Sequence, residues 1–238
     1  MDTTCHKIQA LHPMKGKLFV VGSPIGNLED ITFRAVRILR EVDVIACEDT
    51  RRTKILLEKY DISTPMLSYN EHNERRRIPE LLSMLSDGKD VALVSDAGMP
   101  TISDPGYRLV RAARENGFEV VAVPGPSAVT AALAISGLPT DRFVFEGFLP
   151  KKKGKRLKKL EEIREEERTV VVFESVHRIE RTLAEMLEVL GGDRKVAVCR
   201  ELTKSFEEVI FGRLDEVVQK LSTIKGEFVI VIGGKSID

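Results

Sequence analysis

Short apolar runs alternate with amphipathic stretches along the first part of the chain, the pattern of strands feeding helices. Lys17–Val21 is the first such run and ends in Gly22-Ser23-Pro24-Ile25-Gly26-Asn27. Leu28, Ile31, Ala35, Ile38, Leu39 and Val42 then share one face of a predicted helix. Val44-Ile45-Ala46-Cys47 reads as the next strand and leaves Glu48-Asp49-Thr50-Arg51-Arg52 at its exit. A second helix carries Ile55, Leu56 and Leu57 and closes near Asp61. Met66-Leu67-Ser68-Tyr69 reads as a strand, Asn70-Glu71-His72-Asn73 as a polar loop, and Leu81, Leu82 and Leu85 as a helix ended at Gly88.

The stretch from Val91 to Gly106 organises this half. Val91-Ala92-Leu93-Val94 is apolar throughout, as a strand buried on both faces must be. It breaks into Ser95-Asp96-Ala97-Gly98-Met99-Pro100 and again at Ser103-Asp104-Pro105-Gly106 before a helix resumes at Tyr107. Glu119–Val123 is the next strand and runs into Pro124-Gly125-Pro126-Ser127-Ala128-Val129, ahead of a small-residue helix that stops at Gly137. Strand and helix alternation of this length predicts a doubly wound, mostly parallel sheet. Three loops rich in Gly, Pro and Ser, at 22–27, 95–106 and 124–128, then fall at strand ends on one edge, where open α/β sheets bind ligands.

Gly137-Leu138-Pro139-Thr140-Asp141 is the expected linker, dividing the chain into an N-terminal α/β domain over 15–137 and a C-terminal one over 141–238. The second has strand signals at Phe143–Glu146, Thr169–Phe173, Lys195–Cys199, Glu207–Phe211 and Glu227–Ile232. The short spacing before Glu207 and its polar start predict a mixed, partly antiparallel sheet there.

Composition narrows the class. The 238 residues are 42% apolar and 31% charged, with zero formal net charge, so any nucleic-acid partner must rest on local charge. No apolar run is long enough for a membrane helix. Residues 1–16 lack the layout of a signal peptide and read as a loose tail, with Met14 a natural start. Cys5, Cys47 and Cys199 are odd in number and far apart, which suits a reducing cytoplasm and predicts neither a disulfide framework nor a metal site. Gly22-x-x-x-Gly26 is neither a P-loop nor the GxGxxG of a dinucleotide fold. What remains is a small anionic or zwitterionic ligand held mainly by backbone.

Seven motifs occur in order: VGSPIGNLEDIT (21–32), EDTRRT (48–53), SDAGMPTISDPGY (95–107), PGPSAV (124–129), FEGFLP (145–150), FESVHR (173–178) and RELTK (200–204). Together they resemble the ribosomal RNA small-subunit methyltransferase I family of the tetrapyrrole-methylase-like superfamily, from Lys17 to about Gly234. The resemblance implies a two-domain tetrapyrrole-methylase-like fold, homodimeric and cytoplasmic, with S-adenosyl-L-methionine in the interdomain cleft and no metal. It implies methyl transfer to the ribose 2′-OH of a cytidine in 16S ribosomal RNA within the small subunit. Family members often carry a further C-terminal helical extension, whereas little follows Gly234 here, which bears on ribosome docking.

By position, the resemblance puts Pro24, Asp96, Gly98, Met99 and Ile102 on one wall of the cofactor site, with Ser127 and Ala128 offering backbone groups to the methionine end. Phe173, Leu202, Phe228 and Val229 would enclose the adenine, although four apolar residues serve equally as plain core. Methyl transfer to a hydroxyl needs alignment and help with one proton. Candidates are Glu48 and Asp49, Glu174 and His177, and Glu201 and Lys204, with Glu174, Glu201 and Lys204 taken as the catalytic set. Each also fits a cap or an ion pair, and Asp49 is an ordinary N-cap type. Glu48, Arg51, Arg52, His177 and Arg178 are assigned to substrate, the arginines as phosphate contacts. The run Lys151, Lys152, Lys153, Lys155 and Arg156 precedes an acidic stretch, lacks close partners in sequence and suits RNA phosphates. Lys158 with Glu162, at i,i+4, suggests that part of it is a self-paired solvated face. A tetrapyrrole methyltransferase and a non-catalytic ribosome-binding module are the rival functions.

Overall fold

The computed structural model describes residues 15–236. The start at Met14, most of the expected tail and Cys5 lie outside the described residues. Contacts divide the chain into two units, one of residues 15–23 and 31–125, the other of 24–30 and 126–236. The helix after Pro126 is thus grouped with the second unit, whereas the linker expected at 137–141 would leave it with the first.

The first unit is built on β1 (Lys17–Val21), β2 (Val44–Cys47), β3 (Met66–Ser68), β4 (Val91–Val94) and β5 (Glu119–Val123). Their order is β3-β2-β4-β1-β5 and every pairing is parallel. Between them run α1 (Phe33–Glu41), α2 (Thr50–Lys59), α3 (Glu74–Ser86) and α4 (Tyr107–Glu115). Leu18, Val44, Ala46, Val91 and Leu93 pack with Leu81 and Leu85 of α3 and Leu109 and Ala113 of α4. Ile45, Cys47, Ala92 and Val94, which alternate with them, are buried too, so β2 and β4 have no polar face. Helix α1 starts later than its apolar spacing suggests. The Thr32 side chain accepts the Ala35 N–H and caps it, so Leu28 belongs to a separate 3-10 turn over Leu28–Asp30.

The second unit contains α5 (Ala128–Ile135), β6 (Phe143–Phe148), α6 (Lys153–Arg164), β7 (Thr169–Ser175), α7 (Ile179–Leu190), β8 (Lys195–Arg200), β9 (Glu208–Arg213), α8 (Leu214–Lys220) and β10 (Glu227–Ile232). Its sheet runs β6-β7-β10-β8-β9, parallel only between β6 and β7. The sheet is two-faced. Val172, Val198, Phe228 and Ile230 pack with Leu160 of α6, Leu183 of α7 and Val217 of α8. Val171, Cys199, Val229 and Val231 point the other way, to Val129, Ala132 and Leu133 of α5 and to Ile25.

That alternation corrects one expectation. Phe228 and Val229 are consecutive on β10 and face opposite sides, so they cannot enclose one base together. Val229, Leu202 and Phe173 share the α5 face, while Phe228 belongs to the core under α6 to α8.

The basic run is also not uniform. Arg156 is 1% exposed, with Nη2 2.7 Å from Glu185 Oε1 and Nη1 donating to the carbonyls of Pro150 and Lys151. It pins the loop before α6 to α7 and is no phosphate contact. Its partner stands on another helix, out of reach of any reading based on neighbours in sequence. Lys159, not Lys158, pairs with Glu162, and also reaches Glu146. Lys151, Lys152, Lys153 and Lys155 remain exposed and join no ion pair among the described residues.

Arg156→Ala would strand the Glu185 carboxylate in the interior and should lower the unfolding free energy by about 3–5 kcal/mol. The double change Arg156→Met with Glu185→Leu should recover most of that stability, because both buried charges go together. Urea denaturation of the single and double variants checks this. An Arg156→Ala protein as stable as the parent would return this residue to the surface.

Candidate active site

A parallel sheet brings the carboxyl ends of its strands to one edge. In the first unit the three small-residue loops leave β4, β1 and β5, which are neighbours in the sheet. Backbone contact draws them together. Gly22 donates its N–H to Val123 at 3.0 Å, and Ser23 and Gly98 exchange N–H···O bonds of 2.9 and 3.1 Å. The Ser23 hydroxyl is buried and donates to the Ser95 carbonyl at 3.0 Å. A Cβ on Gly22 would stand 2.7 Å from the Gly125 backbone and from Met99 Sδ, and one on Gly125 would meet Gly22 O at the same distance. Any side chain at either position would push the loops apart. Ser23 and Ser95 hold these loops together through their hydroxyls, a part that residue type alone did not single out; the signal available was that both stand in the small-residue loops.

The loop after β4 is conformationally unusual. Gly98 has φ of 80°, and Thr101 and Ser103 take φ of 76° and 63°, a region that costs residues with a Cβ free energy. This curls Asp96, Met99 and Ile102 along the edge, with Ile102 47% exposed despite being apolar. Asp96 accepts the N–H of Asp49 at 3.1 Å and pairs with Arg52 at 3.5 Å. Burial pushes its carboxyl up, as it does that of Glu48, where the Asp96 charge adds to the effect. Asp104 is raised furthest, to about 6, by burial first and then by Glu48 and Asp96 against the opposing bond from Ser95. Asp49 is the opposite case. Its carboxylate takes the Arg51 N–H as an N-cap and the Arg51 guanidinium at 2.7 Å, which hold it down at about 2. It is a cap, not a base.

Beside these residues the first unit has a polar cavity of about 410 Å³ lined by Glu48, Asp49, Thr50, Arg51, Ser68, Asn70, Glu71, His72 and Asp96. It opens at the ends of β2 and β3, next to the β4 loop. The residues soon after His72, Glu74-Arg75-Arg76-Arg77, begin α3. Arg75 and Arg76 are exposed and in no ion pair among the described residues, a cationic pair that follows the cavity-lining His72 by three and four residues.

In the second unit the RELTK segment follows β8 as a tight turn, with Glu201 and Thr203 at φ of 51° and 67°. Lys204 reaches Glu201 and Glu227, both at 2.9 Å. Burial alone would lower its pKa, but those carboxylates outweigh it and hold an ammonium there. Its stem lies against Gly26, where a Cβ would be 2.7 Å from Lys204 Cγ, and Ile25 packs with Leu202. Pro24 is buried in the same stretch, and Ser127 and Ala128 open α5.

FESVHR is mostly structural. Glu174 has a fully buried carboxylate that accepts from Ser175 N–H, Arg178 and the Thr182 hydroxyl at 2.7 Å, so it has no free lone pair directed at solvent. Arg178 is spent on Glu174 and the Leu149 carbonyl, which removes it from the phosphate contacts. His177 is exposed. Both corrections share one cause: the turn from β7 into α7, closed by the Arg178 N–H on the Ser175 carbonyl at 3.0 Å, folds Arg178 and Thr182 back onto Glu174.

Similar proteins fit this geometry. Residues 17–218 match the family model described as Tetrapyrrole (Corrin/Porphyrin) Methylases. Proteins called ribosomal RNA small subunit methyltransferase I are 52% identical in Thermotoga maritima, over 92% of this chain and 99% of that one, and 51% identical in Halalkalibacterium halodurans, over 92% and 76%. Among solved structures, uroporphyrin-III C-methyl transferase from Thermus thermophilus complexed with S-adenyl homocysteine superposes with a TM-score of 0.63 at 22% identity, over 92% of this chain and 97% of that one. Cobalt precorrin-4 methyltransferase gives 0.65 at 20%, over 91% and 94%. At such identities the structures establish the fold alone.

Two outcomes follow from the loop geometry. Gly125→Ala should destabilise the protein by about 1–3 kcal/mol through overpacking, whereas Gly154→Ala, in open space on α6, should leave it as stable or more so. Urea midpoints of the two variants compare them directly. Asp104 also makes stability depend on pH. Its folded pKa of about 6 exceeds the unfolded value, so the folded state binds more protons between about pH 4 and 6, and stability falls as pH rises through that window. Asp104→Asn lacks this penalty, so its Tm relative to the parent should climb from pH 4 to pH 7; a constant difference would contradict the assignment.

Proposed function

The chain belongs to the ribosomal RNA small subunit methyltransferase I family of the tetrapyrrole methylases, and from that premise we propose that its methyl acceptor is the ribose 2′-OH of a cytidine. It is an S-adenosylmethionine-dependent methyltransferase of 16S ribosomal RNA. The observation that carries the catalytic reading is the gathering of the β4, β1 and β5 loops through the Gly22–Gly125 contact.

The residues present suit S-adenosylmethionine. The cradle that a Cβ would fill offers backbone groups, Asp96 offers a carboxylate to an amine or sulfonium, and Ile102 and Met99 offer apolar surface. Pro24, Gly98, Ser127, Ala128, Phe173, Leu202 and Val229 complete the proposed binding set, without Phe228, which faces the other side of its sheet. When bound, S-adenosylmethionine supplies an activated methyl group on its sulfonium. The protein's part is alignment and management of one proton. Lys204, held as an ammonium, offers a hydrogen-bond donor that steadies a hydroxyl oxygen as it loses its proton. Glu201, kept ionised against its burial by Lys204 and the Glu227 N–H, is the acceptor beside it. Glu174 has no such role, since its oxygens are consumed internally.

RNA contact falls to Lys151, Lys152, Lys153 and Lys155, with Arg51, Arg52 and His177. Phosphate contacts of this kind set position, not sequence. Work as a homodimer in the cytoplasm belongs to the same reading, and the exposed Phe206, Val209 and Phe211 on and before edge strand β9 offer apolar surface for self-association. Among the described residues no helix is long and apolar enough to cross a membrane.

Incubation with methyl-labelled S-adenosylmethionine and either unmodified small subunits or tetrapyrrole precursors tests the reaction. Label should enter only the RNA and, after nuclease digestion, run as 2′-O-methylcytidine; label on a base or a tetrapyrrole would refute the proposal. Changing the four lysines to Gln should leave cofactor affinity unchanged and flatten the salt dependence of subunit binding, by about one unit of slope for each phosphate no longer neutralised.

A further inference from the structure

We propose that the cavity at the ends of β2 and β3 receives the base of the target cytidine, and that Glu48 selects it by accepting the exocyclic amino group. This deepens the functional reading above and rests on it.

A ribose 2′-OH is the same on every nucleotide, so selection has to come from surroundings. Enzymes that act on one nucleotide commonly draw it out of its stack and read its Watson–Crick edge in a pocket. The cavity has about 410 Å³, room for a pyrimidine with its sugar, and its lining is polar. Asp96 lines it and also belongs to the β4 loop, so a base seated there has its ribose beside the loop proposed to hold the methyl donor.

The carboxylates in the cavity are not equivalent. Asp49 is occupied by Arg51, and Asp96 by Arg52 and the Asp49 N–H. Glu48 and Glu71 enter no ion pair among the described residues; Glu71 is exposed on its loop, whereas Glu48 is partly buried and accepts a bond from the Asp96 backbone. Glu48, partly buried and held by that bond, is the better fixed of the two, and its oxygen is the acceptor assigned to the base, while Asp96 is left to the methyl donor. An acceptor pairs with the N4 amino group of cytosine and opposes the O4 carbonyl of uracil. Ser68 and Asn70 add hydroxyl and amide groups on the β3 side. Outside, Arg75 and Arg76 on the first turn of α3, three and four residues past His72, supply cations for flanking phosphates. An acceptor-lined pocket with a cationic approach suits a nucleotide bearing an amino group better than a tetrapyrrole with its many carboxylates.

The test uses reconstituted small subunits carrying either cytidine or uridine at the nucleotide that takes the label. The parent should prefer cytidine. Glu48→Ala should lower kcat/KM on the cytidine subunit by about 10- to 100-fold, the range of one good base contact, with little change on uridine. Its affinity for S-adenosylmethionine and its Tm should match the parent. Glu48→Gln keeps a carbonyl acceptor and gains an amide donor that suits O4, so it should retain part of the cytidine activity and raise activity on uridine. This second variant also decides the matter if Glu48→Ala folds poorly. An active parent whose cytidine preference survives both substitutions overturns the pocket alone, as does failure of both variants to bind S-adenosylmethionine. A parent inactive on either subunit overturns the functional reading and the pocket with it.

Discussion

Two glycine backbones in contact set the geometry on which the candidate site depends. Neighbouring parallel strands deliver their loops to one edge, but loops with side chains at the crossing would splay. At Gly22 and Gly125 the main chains lie closer than a Cβ would permit, and the Ser23–Gly98 bridge adds the β4 loop to the pair. The result is a loop crossing built from main chain, with Asp96, Met99 and Ile102 along its edge. Such a surface suits a small zwitterion, since peptide groups are fixed dipoles that need no reorganisation when charge arrives.

The strain of the structure is concentrated in the loops assigned to chemistry. Of the five residues other than glycine at positive φ among the described residues, Thr101 and Ser103 lie in the β4 loop and Glu201 and Thr203 in the RELTK turn. Each costs free energy that the rest of its unit must supply, which the apolar strands do on either side. The electrostatics divide in the same way. Asp49 and Glu201, hydrogen-bonded to Arg51 and Lys204, are held ionised, while burial pushes Glu48, Asp104 and even the Arg52-paired Asp96 upward. The edge of the first sheet therefore carries both a settled acid, Asp49, and more easily protonated ones.

Charge in sequence proved a poor guide to charge in space. The basic run from Lys151 to Arg156 reads as one feature, yet four of its cations face solvent and Arg156 is interior, because the helical turn rotates it onto α7 and Glu185. Glu174 and Arg178 have the residue types of a catalytic acid and an RNA contact, and they bind each other. Conversely, Arg75 and Arg76 are exposed and in no ion pair among the described residues, a few positions past His72 of a cavity whose lining comes from three separate segments of the chain.

By itself, the sequence determined the alternation of elements, the parallel first sheet, the mixed second one and the three small-residue loops. These are local properties: apolar runs of strand length, a cap such as Asp49, and turn residues act over a few positions. The motifs determined the family by the same short-range means. Tertiary structure alone decided which face Phe228 and Val229 take, because that depends on the register of β10 between β7 and β8. It decided that Arg156, Arg178 and Glu174 are satisfied internally, since their partners are chosen by how helices and strands pack. It also decided that Glu48, Asn70 and Asp96, far apart in the chain, line one cavity, because strand order places β2 between β3 and β4. Side-chain partnership is a property of distance in space, and only the folded chain sets it.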